Sequence, residues 1–161
     1  MPDAATVTEP AIAGVRLIPL KVLPDDRGWL FEILRADQPH FQKFGQVYLS
    51  ACYPGVIKAW HAHRTQTDHQ CVVDGRALIG LFDDREGSPT RGRTMAVDAR
   101  GETPMLVQVP PGVWHGVMAI GERRCLLINI PTEVYDPKSP DELRREPDDP
   151  AIPFNWSVGS D

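Results

Sequence analysis

Three histidines carry the chemistry this chain could perform. His61 and His63 lie two apart in the segment Gly55-Val-Ile-Lys-Ala-Trp-His-Ala-His, and His115 closes the segment Pro110-Pro-Gly-Val-Trp-His. Strand side chains alternate with a period of two, so a strand over 56–63 points both imidazoles to one face. The Pro-Pro-Gly turn then brings His115 in on a later strand. Imidazoles gathered inside one small β barrel can ligate a metal or move protons near neutral pH.

The elements that must position them read as short extended segments. Strands are expected over 15–23, 29–34, 46–53, 56–63, 69–73, 77–82, 93–97, 105–109, 113–120 and 125–130. Pro-Asp-Asp-Arg-Gly, Tyr-Pro-Gly, Asp-Gly, Arg-Glu-Gly-Ser-Pro and Ile-Gly-Glu-Arg supply the turns between them. Strands at this spacing predict an all-β barrel or two-sheet jelly roll. Only 37–44 and 139–146 read as short helices, the second a solvated charged one. The tail over 1–13 and the segment over 136–161 are Pro-rich and polar, and are expected to lie over the barrel or a partner subunit. With no repeat or low-complexity tract, 1–161 reads as a single domain.

Composition narrows the function classes. The chain has 161 residues, 42% of them hydrophobic, enough for one real core. A net charge of −5 and a pI near 5.5 give no basic surface for nucleic acid. Cys52, Cys71 and Cys125 are odd in number and widely spaced, which predicts reduced core thiols. No basic leader and no run of about 18 apolar residues occurs, so a soluble cytoplasmic protein without membrane contact is expected.

The spacing Gly55-x5-His61-x-His63-x4-Asp68-x6-Gly75 resembles the first cupin motif with Asp for its usual Glu, and Pro110-x-Gly112-x2-His115 resembles the heart of the second. In the second motif the opening Gly falls on Pro104 and the closing Asn on Ala119. Further pieces are Asp26-Arg27-Gly28 with Glu32, Gln46, Asp84-Arg85 with Ser88-Pro-Thr-Arg-Gly92, and Asp149-Pro-Ala-Ile152 with Trp156. In order and spacing, from about residue 15 to residue 156, these resemble the dTDP-4-dehydrorhamnose 3,5-epimerase family. The resemblance implies a cupin-type double-stranded β-helix. It also implies a homodimer, and action on a nucleotide-linked 4-keto-6-deoxy sugar with no metal or other cofactor.

That chemistry needs a base and an acid. Protons on C3 and C5 lie α to the ketone, so removal of one gives an enolate and reprotonation from the other face inverts the centre. By resemblance His61 is the base, Asp149 the carboxylate that orients it, and Lys58 stands for an Arg that steadies phosphate or enolate. Arg27, Glu32, Gln46, Tyr48, His115, Asn129 and Tyr135 are substrate-binding candidates, and His63 joins the catalytic set. Without the resemblance, Arg27 and Glu32 read as a surface ion pair, His115 as a core histidine and Asp149 as a turn residue.

The departures define two alternatives. The family's opposite-face donor is the first Tyr of Tyr-x-x-Thr-x-x-Tyr, and this chain reads Asn129-Ile-Pro-Thr132-Glu-Val-Tyr135. An amide cannot supply a proton at neutral pH, so the donor would be Tyr48, Tyr53 or water. Family lysines also fall near Asp68 and at Asp148. Trp60-His-Ala-His63 with Gln66 is similar to the nucleotide-sugar 3,4-ketoisomerases, which need no such Tyr. The second alternative is a metal cupin, an oxygenase or a binder, with His61, His63, Asp68 and His115 as ligands.

Overall fold

The computed structural model describes residues 12–157. The described residues form twelve strands: β1 (Arg16–Pro19), β2 (Leu23–Asp25), β3 (Gly28–Leu30), β4 (Tyr48–Cys52), β5 (Ile57–Ala62), β6 (Asp68–Asp74), β7 (Arg76–Asp83), β8 (Thr94–Arg100), β9 (Met105–Val109), β10 (Val113–Ala119), β11 (Cys125–Asn129) and β12 (Leu143–Arg144). One five-stranded sheet runs β1-β9-β6-β11-β4 and a second runs β12-β5-β10-β7-β8, each antiparallel throughout. The hairpin β2-β3 stands apart from both. This is the expected cupin-type jelly roll.

Alternation drives the layering. Along β8 Met95, Val97 and Ala99 are buried while Thr94, Ala96 and Asp98 are only partly covered. They join Ile79, Leu81, Val107, Val109, Val113 and Leu127 in the main core. A second apolar cluster forms around Trp60, Leu78, Phe82 and Trp114, and Ile152, Phe154 and Trp156 close over it. Trp60 meets Phe154 and Trp156 at ring-centroid distances of 5.3 and 5.0 Å, so these two rings pack on the barrel. Most of the tail over 1–13 lies outside the described residues, but Ile12 is buried in the core.

Neither expected helix is found among the described residues. The chain over 37–44 makes successive turns, closed by Gln38 N–H to Arg35 O and Phe41 N–H to Gln38 O. Pro39 disfavours helix at the residue before it. Over 139–146 the chain is extended, because Leu143 and Arg144 pair with Ala62 and His61 as the edge strand β12. The charge pattern that read as a solvated helix lies along that edge. The Asp84-Arg85 and Ser88-to-Gly92 pieces also have a structural use: the buried Asp83 carboxylate accepts from Ser88 Oγ, Thr90 Oγ1 and Arg85 at 2.6–2.9 Å, pinning the loop after β7.

A register shift matters most for the site. His115 lies opposite His61, but Val117 lies opposite Lys58, so three steps on β5 face two on β10. Such a bulge re-aims side chains. It lets Lys58 and His61, an odd number of residues apart, line one cavity. Gly116 sits inside the shift, where a Cβ would lie 2.3 Å from Ala59 Cβ and 2.9 Å from Ala59 Cα. Gly116→Ala is therefore expected to destabilise the fold by about 1–3 kcal/mol through overpacking, read as a lower urea midpoint with an unchanged slope. An unchanged midpoint would show that β5 and β10 have slack at the bulge.

Candidate active site

Between the open ends of the two sheets lies a cavity of about 400 Å³, lined by Lys58, His61 and His115 from the second sheet and by Tyr48, Asp68 and Gln70 from the first. A neighbouring cavity of about 590 Å³, which includes Gln46, Gln66 and Tyr135, shares Tyr48, His63 and Glu142 with it. Together they are of the size that takes a small organic ligand.

A buried carboxylate holds the two walls together. Asp68 Oδ2 lies 2.9 Å from His115 Nε2 and 3.3 Å from His63 Nε2. Gln66 Nε2 donates to Asp68 Oδ1 at 2.7 Å. The other nitrogens face backbone carbonyls, His115 Nδ1 that of Val113 at 3.0 Å and His63 Nδ1 that of Asp141. Burial works against the Asp68 charge, but the two imidazoles outweigh it and hold the carboxyl far below the usual range. Burial likewise pulls His63 down, yet Asp68 prevails and its net shift is upward. An oxygen lies at each His63 nitrogen, the Asp141 carbonyl at Nδ1 and the Asp68 carboxylate at Nε2.

His61 is arranged differently. Its Nδ1 lies 3.0 Å from Glu142 Oε1, an ion-pair contact off the axis of a linear hydrogen bond. Burial lowers its basicity and His115 adds to the effect, while Glu142 opposes it. The net shift is downward, which keeps the ring neutral at physiological pH with Nε2 left for a substrate proton. Glu142 is itself held in its charged form by Arg144, which donates to it at 2.9 Å and overcomes its burial.

Other expected residues fall as follows. Lys58 lines the cavity and donates to Ala51 O at 2.8 Å. Gln46 Oε1 accepts from the Tyr135 backbone at 3.2 Å. Asn129 is buried behind Tyr48 and donates to its hydroxyl at 2.8 Å. Three residues are not brought to the cavity. Asp149 does not face His61: its carboxylate accepts from Ala151 N at 2.9 Å and lies 3.9 Å from Arg145 Nε. Arg27 pairs with Asp25 on the hairpin, and Glu32 pairs with Arg35 at 2.9 Å. The carboxylate beside His61, Glu142, was missed because 139–146 read as a helix. Its pattern carries no strand signal, and only Pro140 argues for a break nearby.

The cavity also holds the one described group of three or more His, Cys, Asp or Glu side chains that could take a metal: His63, Asp68 and His115, with ligand atoms within 4.8 Å of one another. As they stand, both Nε2 atoms are at hydrogen-bond distance from one carboxylate oxygen and converge on it. His61, the remaining member of the four-ligand cupin set, is not in that group, and its Nδ1 lies 3.0 Å from Glu142 Oε1.

A strand-built barrel with a neutral histidine beside a carboxylate is the equipment of a proton-transferring isomerase. Residues 9–161 match the family described as dTDP-4-dehydrorhamnose 3,5-epimerase, and the chain belongs to that family. It is 41% identical over 147 residues to the spore coat polysaccharide biosynthesis protein SpsL of Bacillus subtilis, covering 91% of this chain and 97% of that one. It is 40% identical over 151 residues to the probable low-salt glycan biosynthesis epimerase Agl13 of Haloferax volcanii, covering 92% and 97%. Among solved structures, a dTDP sugar isomerase from Desulfovibrio desulfuricans superposes with a TM-score of 0.86 at 34% identity, covering 92% of this chain and 96% of that one.

The electrostatics of His61 can be read directly. In an NMR titration its midpoint is expected below the ordinary imidazole value of roughly 6.5. Glu142→Gln should move it lower still, because the carboxylate favours the charged ring. A wild-type midpoint above the ordinary value, or an upward move in the variant, would contradict this.

Proposed function

We propose that this epimerase inverts C3, C5 or both in a nucleotide-linked 4-keto-6-deoxy sugar, with His61 Nε2 removing the proton α to the ketone. The observation that carries the reading is the His61–Glu142 pair: a half-buried ring of lowered basicity that lines the cavity, with a carboxylate at its Nδ1. Glu142 takes the orienting role first expected of Asp149. It stabilises the imidazolium as it forms, without itself becoming protonated.

Lys58 and Arg144 place positive charge on the same side of the cavity, where a developing enolate or a diphosphate would be stabilised. The adjoining cavity with Gln46 and Tyr135 is our site for the nucleotide. His63 and His115 shape the sugar pocket without taking protons. This weighs against 3,4-ketoisomerisation, which would use His63 as a second base. The reading needs no metal.

We further propose a cytoplasmic homodimer. No described helix is long and apolar enough to cross a membrane. Trp29 and Leu30 on the hairpin are 62% and 56% exposed, and Val47, Leu49 and Tyr53 along edge strand β4 are 56–67% exposed. Apolar surface of this kind, beside a free sheet edge, favours association. Sedimentation at micromolar concentration should give twice the chain mass, and a monomer would refute the proposal.

The reaction is tested in deuterium oxide with a panel of dTDP-, GDP-, UDP- and CDP-linked 4-keto-6-deoxy sugars. Deuterium should enter at C3, C5 or both, and His61→Ala should slow entry by about 10²–10⁴-fold. Exchange should survive EDTA. No exchange with any substrate would refute the reading, a 3-keto product would establish ketoisomerisation, and loss of exchange on chelation would bring in a metal.

A further inference from the structure

Inversion needs a proton delivered to the face opposite the base, and the fold puts the two faces on different sheets. His61 lies on β5 in the second sheet. The first-sheet residues that line the same cavity are Tyr48, Ser50, Asp68, Gln70 and Leu127. Leu127 has no proton to give, and the Ser50 alcohol and Gln70 amide are too weakly acidic. Asp68 is fixed as a carboxylate by His63 and His115. Tyr48 remains. Tyr53, the other tyrosine considered, lines neither cavity.

The hydrogen bonds around Tyr48 decide where its proton points. Asn129 is opposite Tyr48 in the β11-β4 register. Its Oδ1 accepts from the His69 backbone N–H at 3.0 Å, which fixes the amide so that Nδ2 faces the phenol. Nδ2 then donates to Tyr48 Oη at 2.8 Å. Nδ2 is donor-only, so the phenol must accept there, and its own O–H is left to point elsewhere. The residue lines both cavities.

Building on the epimerase reading above, we propose that Tyr48 is the general acid, with Asn129 as the residue that positions it. His61 Nε2 takes the proton from the α carbon, breaking C–H and leaving an enolate. Tyr48 O–H then breaks as its proton goes to that carbon from the opposite wall, forming the new C–H bond. The resulting tyrosinate keeps the Asn129 N–H bond, and solvent returns its proton while His61 loses one, so no oxidant or reductant is consumed. Asn129 stabilises the tyrosinate against the burial that disfavours it.

The test separates exchange from inversion in deuterium oxide, using a nucleotide 4-keto-6-deoxy sugar that the wild type turns over. In Tyr48→Phe, His61-dependent exchange should persist with retention at the carbon, while inversion falls by about 10²–10⁴-fold. The phenylalanine ring keeps the packing, and an unchanged thermal midpoint would show the fold intact. Asn129→Ala should lower inversion relative to exchange less severely and move the alkaline limb of inversion to higher pH, since the amide favours the ionised phenol. Inversion at the wild-type rate in Tyr48→Phe would overturn the acid while leaving His61 as base. Loss of exchange and inversion in equal proportion would overturn it too, by giving Tyr48 a binding role. Absence of exchange in the wild type would overturn both this proposal and the epimerase reading.

Discussion

The site depends on one buried charge. Asp68 belongs to β6 in the first sheet, and the imidazoles that hold it come from β10 and from the end of β5 in the second. Removing a carboxylate from water costs several kcal/mol even after relaxation, so such a group persists only when paired and hydrogen-bonded. Here it has two imidazoles and the Gln66 amide, and the pairing fixes the distance between the sheets. Asp68 stabilises above the ordinary carboxylate value and loses that contribution as pH falls through its lowered pKa. His63 contributes below the ordinary imidazole value and loses that as pH rises through its raised pKa. The clamp is therefore complete from mildly acidic pH to about neutrality.

Its effect reaches His61 through the backbone. His63 contacts the Asp141 carbonyl, and the Asp141 carboxylate accepts from the Arg64 and Thr65 N–H groups at 2.7 and 2.9 Å. The chain after Pro140 is thus tied to the end of β5. Glu142, the next residue, is delivered to His61 at the start of β12. Two histidines two residues apart have different partners: His63 faces the Asp141 carbonyl and the Asp68 carboxylate, and His61 faces Glu142. Spacing alone made them equivalent, and their hydrogen-bond partners separate them.

Legibility in the sequence followed the range of the interactions involved. Alternating apolar residues and turn dipeptides gave nine of the ten strands in the two sheets, all but β12, because strand periodicity is local. The His-x-His pair, His115 and Lys58 were recognised as cavity residues, although the bulge that aligns Lys58 with His61 has no local signature beyond Gly116. Glu142 was hidden because tertiary pairing with β5 overrides a helix-like charge pattern at 139–146. Asp149 was misplaced because an Asp-Pro turn looks the same whether its carboxylate faces a histidine or an arginine. Arg27 and Glu32 pair with Asp25 and Arg35 and not with each other.

The proposed base and acid stand on opposite walls of one cavity, His61 on the second sheet and Tyr48 on the first. A crystal structure with a nucleotide-linked 4-keto-6-deoxy sugar bound tests this arrangement most directly. One α carbon of the sugar should lie between them, with His61 Nε2 on one face and Tyr48 Oη on the other, each within about 3.5 Å of that carbon. A sugar ring with both groups on the same face, or with its α carbons away from His61, would contradict it.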